Sequence, residues 1–161
     1  MQDKESIVVV EPIGYVRAGR TAAEDDYWGS TESTIVLADV LDPETLLGIE
    51  EFSHAEILFV FHGVDEQKII RGARRPRNNP DWPRVGIFAQ RAKNRPNCIG
   101  STIVRVLRRD GRILHVTELD AIDGTPVLDI KPVMQEFLPR EPVRQPPWSH
   151  ELMRQYWTKK V

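Results

Sequence analysis

The chain has a single cysteine, Cys98, in 161 residues, so no intrachain disulfide can form and stability must come from a packed core. No apolar run approaches the length of a spanning helix, and no membrane association is expected. G-x-G occurs nowhere, which excludes the dinucleotide fingerprint of a Rossmann sheet, and there is no G-x-x-x-x-G-K to cradle a nucleotide phosphate. H-E-x-x-H, G-x-S-x-G and cysteine pairs are also missing, so zinc hydrolysis and a serine elbow fit poorly. His54 and His62 bracket one apolar run, but eight residues at about 3.3 Å each put them roughly 26 Å apart, too far to share a metal. The charged start, M-Q-D-K-E-S, lacks the apolar core of a signal peptide, and a cytoplasmic location is expected.

What the chain does have is an ordinary globular balance, 40% hydrophobic and 29% charged, at a length that suits one domain. Its charge is unevenly spread. Residues 68–95 carry Lys68, Arg71, Arg74, Arg75, Arg77, Arg84, Arg91, Lys93 and Arg95 against Asp81 alone, a net +8, so the remainder carries −10 to reach the chain's −2. Such a segment is either a solvated loop or a surface for a phosphate-bearing partner, and Pro76, Pro80 and Pro83 make it stiff. Arg71, Arg74, Arg75 and Arg77 are the candidate nucleic-acid contacts.

Strand signals dominate. Residues 7–17 are β-branched, with Pro12 at a bulge or edge, and residues 34–40 and 54–62 read as further strands, the last of them central. Asp42 and Pro43 open a short helix that Gly48 ends. Residues 102–109 and 112–119 alternate about Asp110-Gly111, a hairpin signal, with Val104 and Val106 facing Leu114 and Val116. A tight acidic turn leads to a strand at 127–130, and Asp120, Asp123 and Asp129 are expected to converge there on a ribose diol or a metal, unless Asp-Gly-Thr-Pro is an ordinary turn. Tyr27 and Trp28 sit on the polar loop 20–33 as a lid over a flat ligand or a plug in the barrel end. With no long helices between strands, the economical fold is mostly β, a small antiparallel β-barrel with short helices and a C-terminal helix. The barrel domain is expected at 1–140. Residues 141–161 follow as an extended proline-rich arm and a helix capped by Ser149, pairing Leu152 with Tyr156 and Met153 with Trp157.

The motifs add a family likeness. Residues 48–62 (G-I-E-E-F-S-H-A-E-I-L-F-V-F-H), 85–100 (V-G-I-F-A-Q-R-A-K-N-R-P-N-C-I-G) and 119–132 (L-D-A-I-D-G-T-P-V-L-D-I-K-P) closely resemble, in the same order, blocks of the TsaA/TrmO-like (YaeB-like) family. The resemblance implies a β-barrel that binds S-adenosyl-L-methionine without a Rossmann sheet, commonly as a homodimer with the cofactor near the interface. It implies methyl transfer to threonylcarbamoyl-modified adenosine beside the tRNA anticodon. Position by position, it implies cofactor contacts at His62 and Gly63, at Arg91 of F-A-Q-R, and at Arg95, Asn97 and Gly100 of R-P-N-C-I-G. Leu119, Asp120, Ala121, Ile122, Asp123, Gly124 and Thr125 complete the set, with Trp28 added from the loop. No metal is implied. Chemically, a methionine carboxylate wants an arginine, a ribose a carboxylate, and an adenine ring backbone groups at a fixed turn.

Three departures from the family pattern bear on the reading. Cys98 stands where the family has a second proline, which should loosen that turn, and Gln90 replaces a threonine. D-D-Y-W-G at 25–29 stands where tRNA-modifying members carry P-R-Q, and the C-terminal domain of longer bacterial members is missing. The acceptor is therefore tRNA or, with the same cofactor, a small molecule; a non-catalytic RNA-binding or adenosyl-sensing module is the remaining reading. Transfer from a sulfonium is an in-line displacement that mainly needs orientation and water exclusion, with His62 or Asp129 as candidate base for an amide-like nitrogen. A homodimer is expected because Trp148, Tyr156 and Trp157 offer a surface to bury.

Overall fold

Alternating burial builds the wall of this molecule. The computed structural model describes residues 6–17 and 19–161; the charged pentapeptide behind the cytoplasmic expectation lies outside them. Among the described residues the strands are β1 (Gly14–Arg17), β2 (Glu32–Leu37), β3 (His54–Val60), β4 (Ala73–Arg74), β5 (Val85–Gly86), β6 (Ile99–Asp110), β7 (Ile113–Thr117) and β8 (Pro126–Pro132). Six of them close into an antiparallel barrel in the order β1-β2-β7-β6-β3-β8, with Gly14 opposite Val127 sealing β8 to β1. β4 and β5 form a separate two-stranded ribbon within the basic segment. Every second residue points inward: Ile35 and Leu37 from β2, Ala55, Ile57 and Phe59 from β3, Leu114 and Val116 from β7 make one buried cluster with Val16, Val104, Leu119 and Val127. The expected mostly β barrel is what forms.

The hairpin about Asp110-Gly111 forms as read, with Gly111 at φ 56° and Val106 opposite Val116. The Asp42 carboxylate accepts from the Glu44 amide to start a 3₁₀ turn at Pro43, and Gly48 ends it at φ 87°. Between Leu58 and Phe59 the β3–β8 register slips at a bulge. Gly100, opposite Phe59, admits no side chain, because a Cβ there would lie 2.5 Å from the Phe59 ring. Phe59 in turn meets Phe61 edge-on at 5.3 Å.

Two expectations about element ends are corrected. Residues 7–17 yield only the four residues of β1, and Ile7, Val8 and Val9 are more than 80% exposed. Strand propensity is realised only where a partner strand runs alongside, and pairing begins at Gly14, where the Val36 carbonyl passes 2.5 Å from the place of a Cβ. The last helix, α1 (Pro147–Met153), starts two residues before Ser149, whose hydroxyl donates back to the Pro146 carbonyl at 2.7 Å. Pro147 suits the first turn because it has no amide to satisfy. α1 ends at Met153, so Tyr156 and Trp157 lie beyond it and form an edge-on pair of their own at 4.9 Å.

Those last residues dock on the 20–33 loop. The Tyr27 amide donates to the Gln155 carbonyl at 3.1 Å and the Trp28 amide to the Tyr156 carbonyl at 2.7 Å. Gly29 is required here, since a Cβ would sit 1.9 Å from the Trp157 carbonyl oxygen. Trp82 Nε1 donates to Glu151 at 2.8 Å and ties α1 to the basic segment.

Candidate functional site

Two of the predicted blocks meet at a glycine. His62 lies just past β3 and Gly124 in the turn before β8; the His62 Nε2 is 3.9 Å from where a Cβ on Gly124 would be, and an Arg17 guanidinium nitrogen is 4.0 Å from it. Gly124 adopts φ 81°, which any other residue would take only with strain, and Gly63 has open space around it. The turn is cross-tied: the amides of Asp123, Gly124 and Thr125 donate to the carbonyls of Arg20, Val16 and Ile122 at 2.7, 2.8 and 3.2 Å. Leu119, Ala121 and Thr125 are buried, so their side chains belong to the barrel. Three of the turn's amides are thus engaged, and what it can still offer a planar ring lies toward residues 119–122.

The other junction is Asp120. Its two carboxylate oxygens accept from the hydroxyls of Thr102, on β6, and Tyr156, beyond α1. Burial first, then the charge and hydrogen bond of Asp120, push the Tyr156 phenol far above the ordinary tyrosine range, while Arg91 and Arg77 pull it the other way. Arg91 from the cationic turn thus acts on the same phenol that Asp120 holds; its guanidinium donates to the Ser101 carbonyl, beside the hydrogen bond from Ser101 to Glu56 at 2.7 Å. The three aspartates do not converge as expected. Asp129 accepts from its neighbour's amide and pairs with Lys131 at 3.0 Å, opposite Leu58 on β3, and the described residues hold no acidic group fit for a metal.

Others of the expected contacts make bonds within the chain. Arg95 folds back onto its own turn, donating to the Gln90 carbonyl at 2.6 Å, with its guanidinium over Phe88. Asn97 and Cys98 follow at φ 64° and 49°, and the Cys98 thiol donates to the Arg95 carbonyl at 3.3 Å. A proline, fixed near φ −65°, could not occupy that conformation at 98, so this turn as it stands takes a cysteine and not a proline. Trp28 is 3% exposed and lies under the Arg20 guanidinium at 4.0 Å, buried within its loop and outside the barrel's core cluster. Gln90 is buried and clamps the ribbon by donating to the Arg74 and Val85 carbonyls, both at 3.0 Å.

The four candidate phosphate ligands fare differently. Arg77 makes a two-pronged bond to Asp26 at 2.9 and 3.1 Å. Arg75 donates to the carbonyls of Pro80 and Trp82. Arg74 buries its Nε without a partner, and Arg71 is exposed. Sequence reasoning missed Arg17, Arg20 and Thr102 as parts of this site, and it read Tyr156 only as helix surface. Arg20 had a signal only in hindsight, a lone cation heading an acidic loop whose carbonyls it caps at Asp26 and Tyr27.

The model of the tRNA-methyltransferase O N-terminal domain matches residues 20–137, which hold both junctions apart from Arg17 and Tyr156. The chain belongs to that family. Among tRNA-methyltransferase O relatives, a probable S-adenosyl-L-methionine-binding protein of Methanothermobacter thermautotrophicus is 35% identical over 85% of this chain and 96% of its own length. The tRNA (adenine(37)-N6)-methyltransferase of Escherichia coli is 41% identical over 62% of this chain and 43% of its own. The crystal structure of TrmO from Pseudomonas aeruginosa superposes with a TM-score of 0.68 at 30% identity, covering 86% of this chain and 62% of that one. The chain spans between about a quarter and a half of the curated methyltransferases it matches.

The Tyr156 bond has a pH consequence. The folded state keeps this proton where the unfolded chain loses it, so the stabilisation is whole below about pH 10, the ordinary tyrosine value, and fades as pH rises above it. In an ultraviolet titration Tyr156 should ionise only as the protein unfolds. Tyr156→Phe should abolish that late step; a late step that persists in the variant would assign it elsewhere.

Proposed function

We propose that the chain binds S-adenosyl-L-methionine and methylates N6 of a modified adenosine beside the tRNA anticodon. The observation that carries this is the junction of His62 and Gly63 with the 119–125 turn, joined through Asp120 and Tyr156 to Arg91. The residues fit the group. A guanidinium suits the methionine carboxylate, a carboxylate already oriented by two hydroxyls suits a ribose diol, and two glycines let a ligand approach the backbone. The names of the relatives, an S-adenosyl-L-methionine-binding protein and an adenine-37 methyltransferase, support the same reading.

When bound, the cofactor supplies an activated methyl on a sulfonium. The chain's own residues bind, orient and exclude water: Arg91 and Asp120 hold polar ends, the Trp28 indole buried beneath Arg20 keeps the 20–33 loop dry, and His62 accepts a proton from the acceptor nitrogen. Residues 1–140 act as the barrel domain and 141–161 as an arm that returns to it. The protein is proposed to work in the cytoplasm.

Calorimetry with S-adenosyl-L-methionine or its demethylated product tests the cofactor. Arg91→Ala should weaken binding by roughly 1.5–3 kcal/mol, the range for a charged hydrogen bond. No heat from the wild-type chain at near-millimolar ligand would remove the cofactor, and unchanged affinity in a folded variant would move Arg91 out of the site.

If tRNA is the acceptor, Arg71, Arg74 and Arg75 neutralise phosphates, and log affinity for an anticodon stem-loop should fall by about 0.7–0.9 per contact for each tenfold rise in salt. The capture of Arg77 by Asp26 favours the second reading, a small-molecule acceptor, for which filter binding would show no such slope.

A homodimer belongs to the proposal, on altered grounds. Tyr156 is used within its own chain, so the exposed Ile7–Val10 segment and Phe88, 77% exposed, are the surfaces left to bury. Light scattering at tens of micromolar should give twice 18.5 kDa, and a monomer would overturn it.

A further inference from the structure

The family match stops at residue 137, yet the group holding one oxygen of Asp120 comes from residue 156. The geometry points to Tyr156 as a positioning residue of the cofactor site, holding the Asp120 carboxylate in the orientation that receives a ribose diol. This rests on the cofactor reading above and adds to it a segment outside the matched domain.

The carboxylate has room for about four acceptor contacts, and Thr102 and Tyr156 occupy one on each oxygen. Two hydroxyls on opposite oxygens fix both the position and the plane of the group, leaving its remaining lone pairs for a vicinal diol. Tyr156 is well suited to this because it is itself fixed three ways. Its carbonyl accepts from the Trp28 amide at 2.7 Å, its ring packs edge-on against Trp157, and α1 before it is tethered by the bond from Trp82 to Glu151 at 2.8 Å. Thr102 is 7% exposed and comes from β6, a rigid wall of the barrel. The carboxylate is thus gripped between a wall strand and a returning tail, with the Arg91 and Arg77 cations acting on the same hydroxyl. A tail retained only to cover the barrel would have no need of a hydroxyl at this ring position. A phenylalanine would cover as well and would avoid burying a polar atom.

The test compares two ligands on the full chain by calorimetry, S-adenosylhomocysteine and its 2′,3′-dideoxy analogue, which lacks the diol. Tyr156→Phe should weaken the first about tenfold, the loss of one hydrogen bond to a charged group, and leave the second unchanged. In an Asp120→Ala background the same substitution should have no further effect on either ligand. Should Tyr156→Phe fail to fold by circular dichroism, Glu151→Ala at an exposed position carries the test, because it frees α1 from Trp82 and loosens the tail that bears the hydroxyl; the same diol-selective loss is expected. Equal loss for both ligands would make Tyr156 structural only, and no loss or tighter binding would make it irrelevant or a plug; each overturns the inference. If the wild-type chain binds neither ligand, the cofactor reading itself fails and takes this one with it.

Discussion

A carboxylate inside a protein wall has to be satisfied, and Asp120 is the point at which that requirement organises the molecule. Left alone in a half-buried position it would cost several times the worth of an ordinary hydrogen bond. It is satisfied by a barrel strand and by a segment thirty-six residues later in the chain. That one need explains why the tail returns, why loop 20–33 presents amides to it, and why Gly29 can carry no side chain. The cationic and acidic turns, far apart in sequence, are brought within one electrostatic neighbourhood by the same arrangement.

How much of this was legible depended on whether the signal was periodic or spatial. Residues 54–62 and the hairpin about Gly111 announce themselves because burial on one face imposes a period of two, and their register follows. The motif blocks at 62–63 and 119–125 are far apart in the chain and meet at Gly124 in the fold. The β-branched run at 7–10 was misleading since its side chains are exposed and serve no barrel position, and strand formation depends on a partner that the sequence does not name. The bonds of Asp120, Arg20 and Tyr156 were invisible for another reason: each joins residues whose separation in the chain carries no period at all. Arg95 and Gly100 have roles inside the chain, turn closure and ring packing, that the sequence pattern does not distinguish from ligand contact.

The basic segment shows how formal charge overstates what a surface offers. Residues 68–95 sum to +8, but Arg77 is held by Asp26 and approached by Asp25, Arg75 is folded over loop carbonyls, and Arg95 faces its own turn. The field that remains is narrower than the sequence suggests and is strongest where Arg71 and the Arg91–Lys93 turn stand exposed. A partner reading this surface would meet a stiff ribbon, β4 paired with β5, clamped from beneath by Gln90.

The left-handed pair at Asn97 and Cys98 has a consequence for how this turn can change over time. A proline at 98 is compatible with a different backbone path and incompatible with this one, so neither residue of the pair is free to drift by itself. Proline at 98 becomes tolerable only after this path has altered, whereas cysteine would also fit a path that suits proline, since it carries no ring to fix φ. The constraint therefore runs one way: the turn can leave a proline-compatible path freely and can return to proline only through a change of backbone.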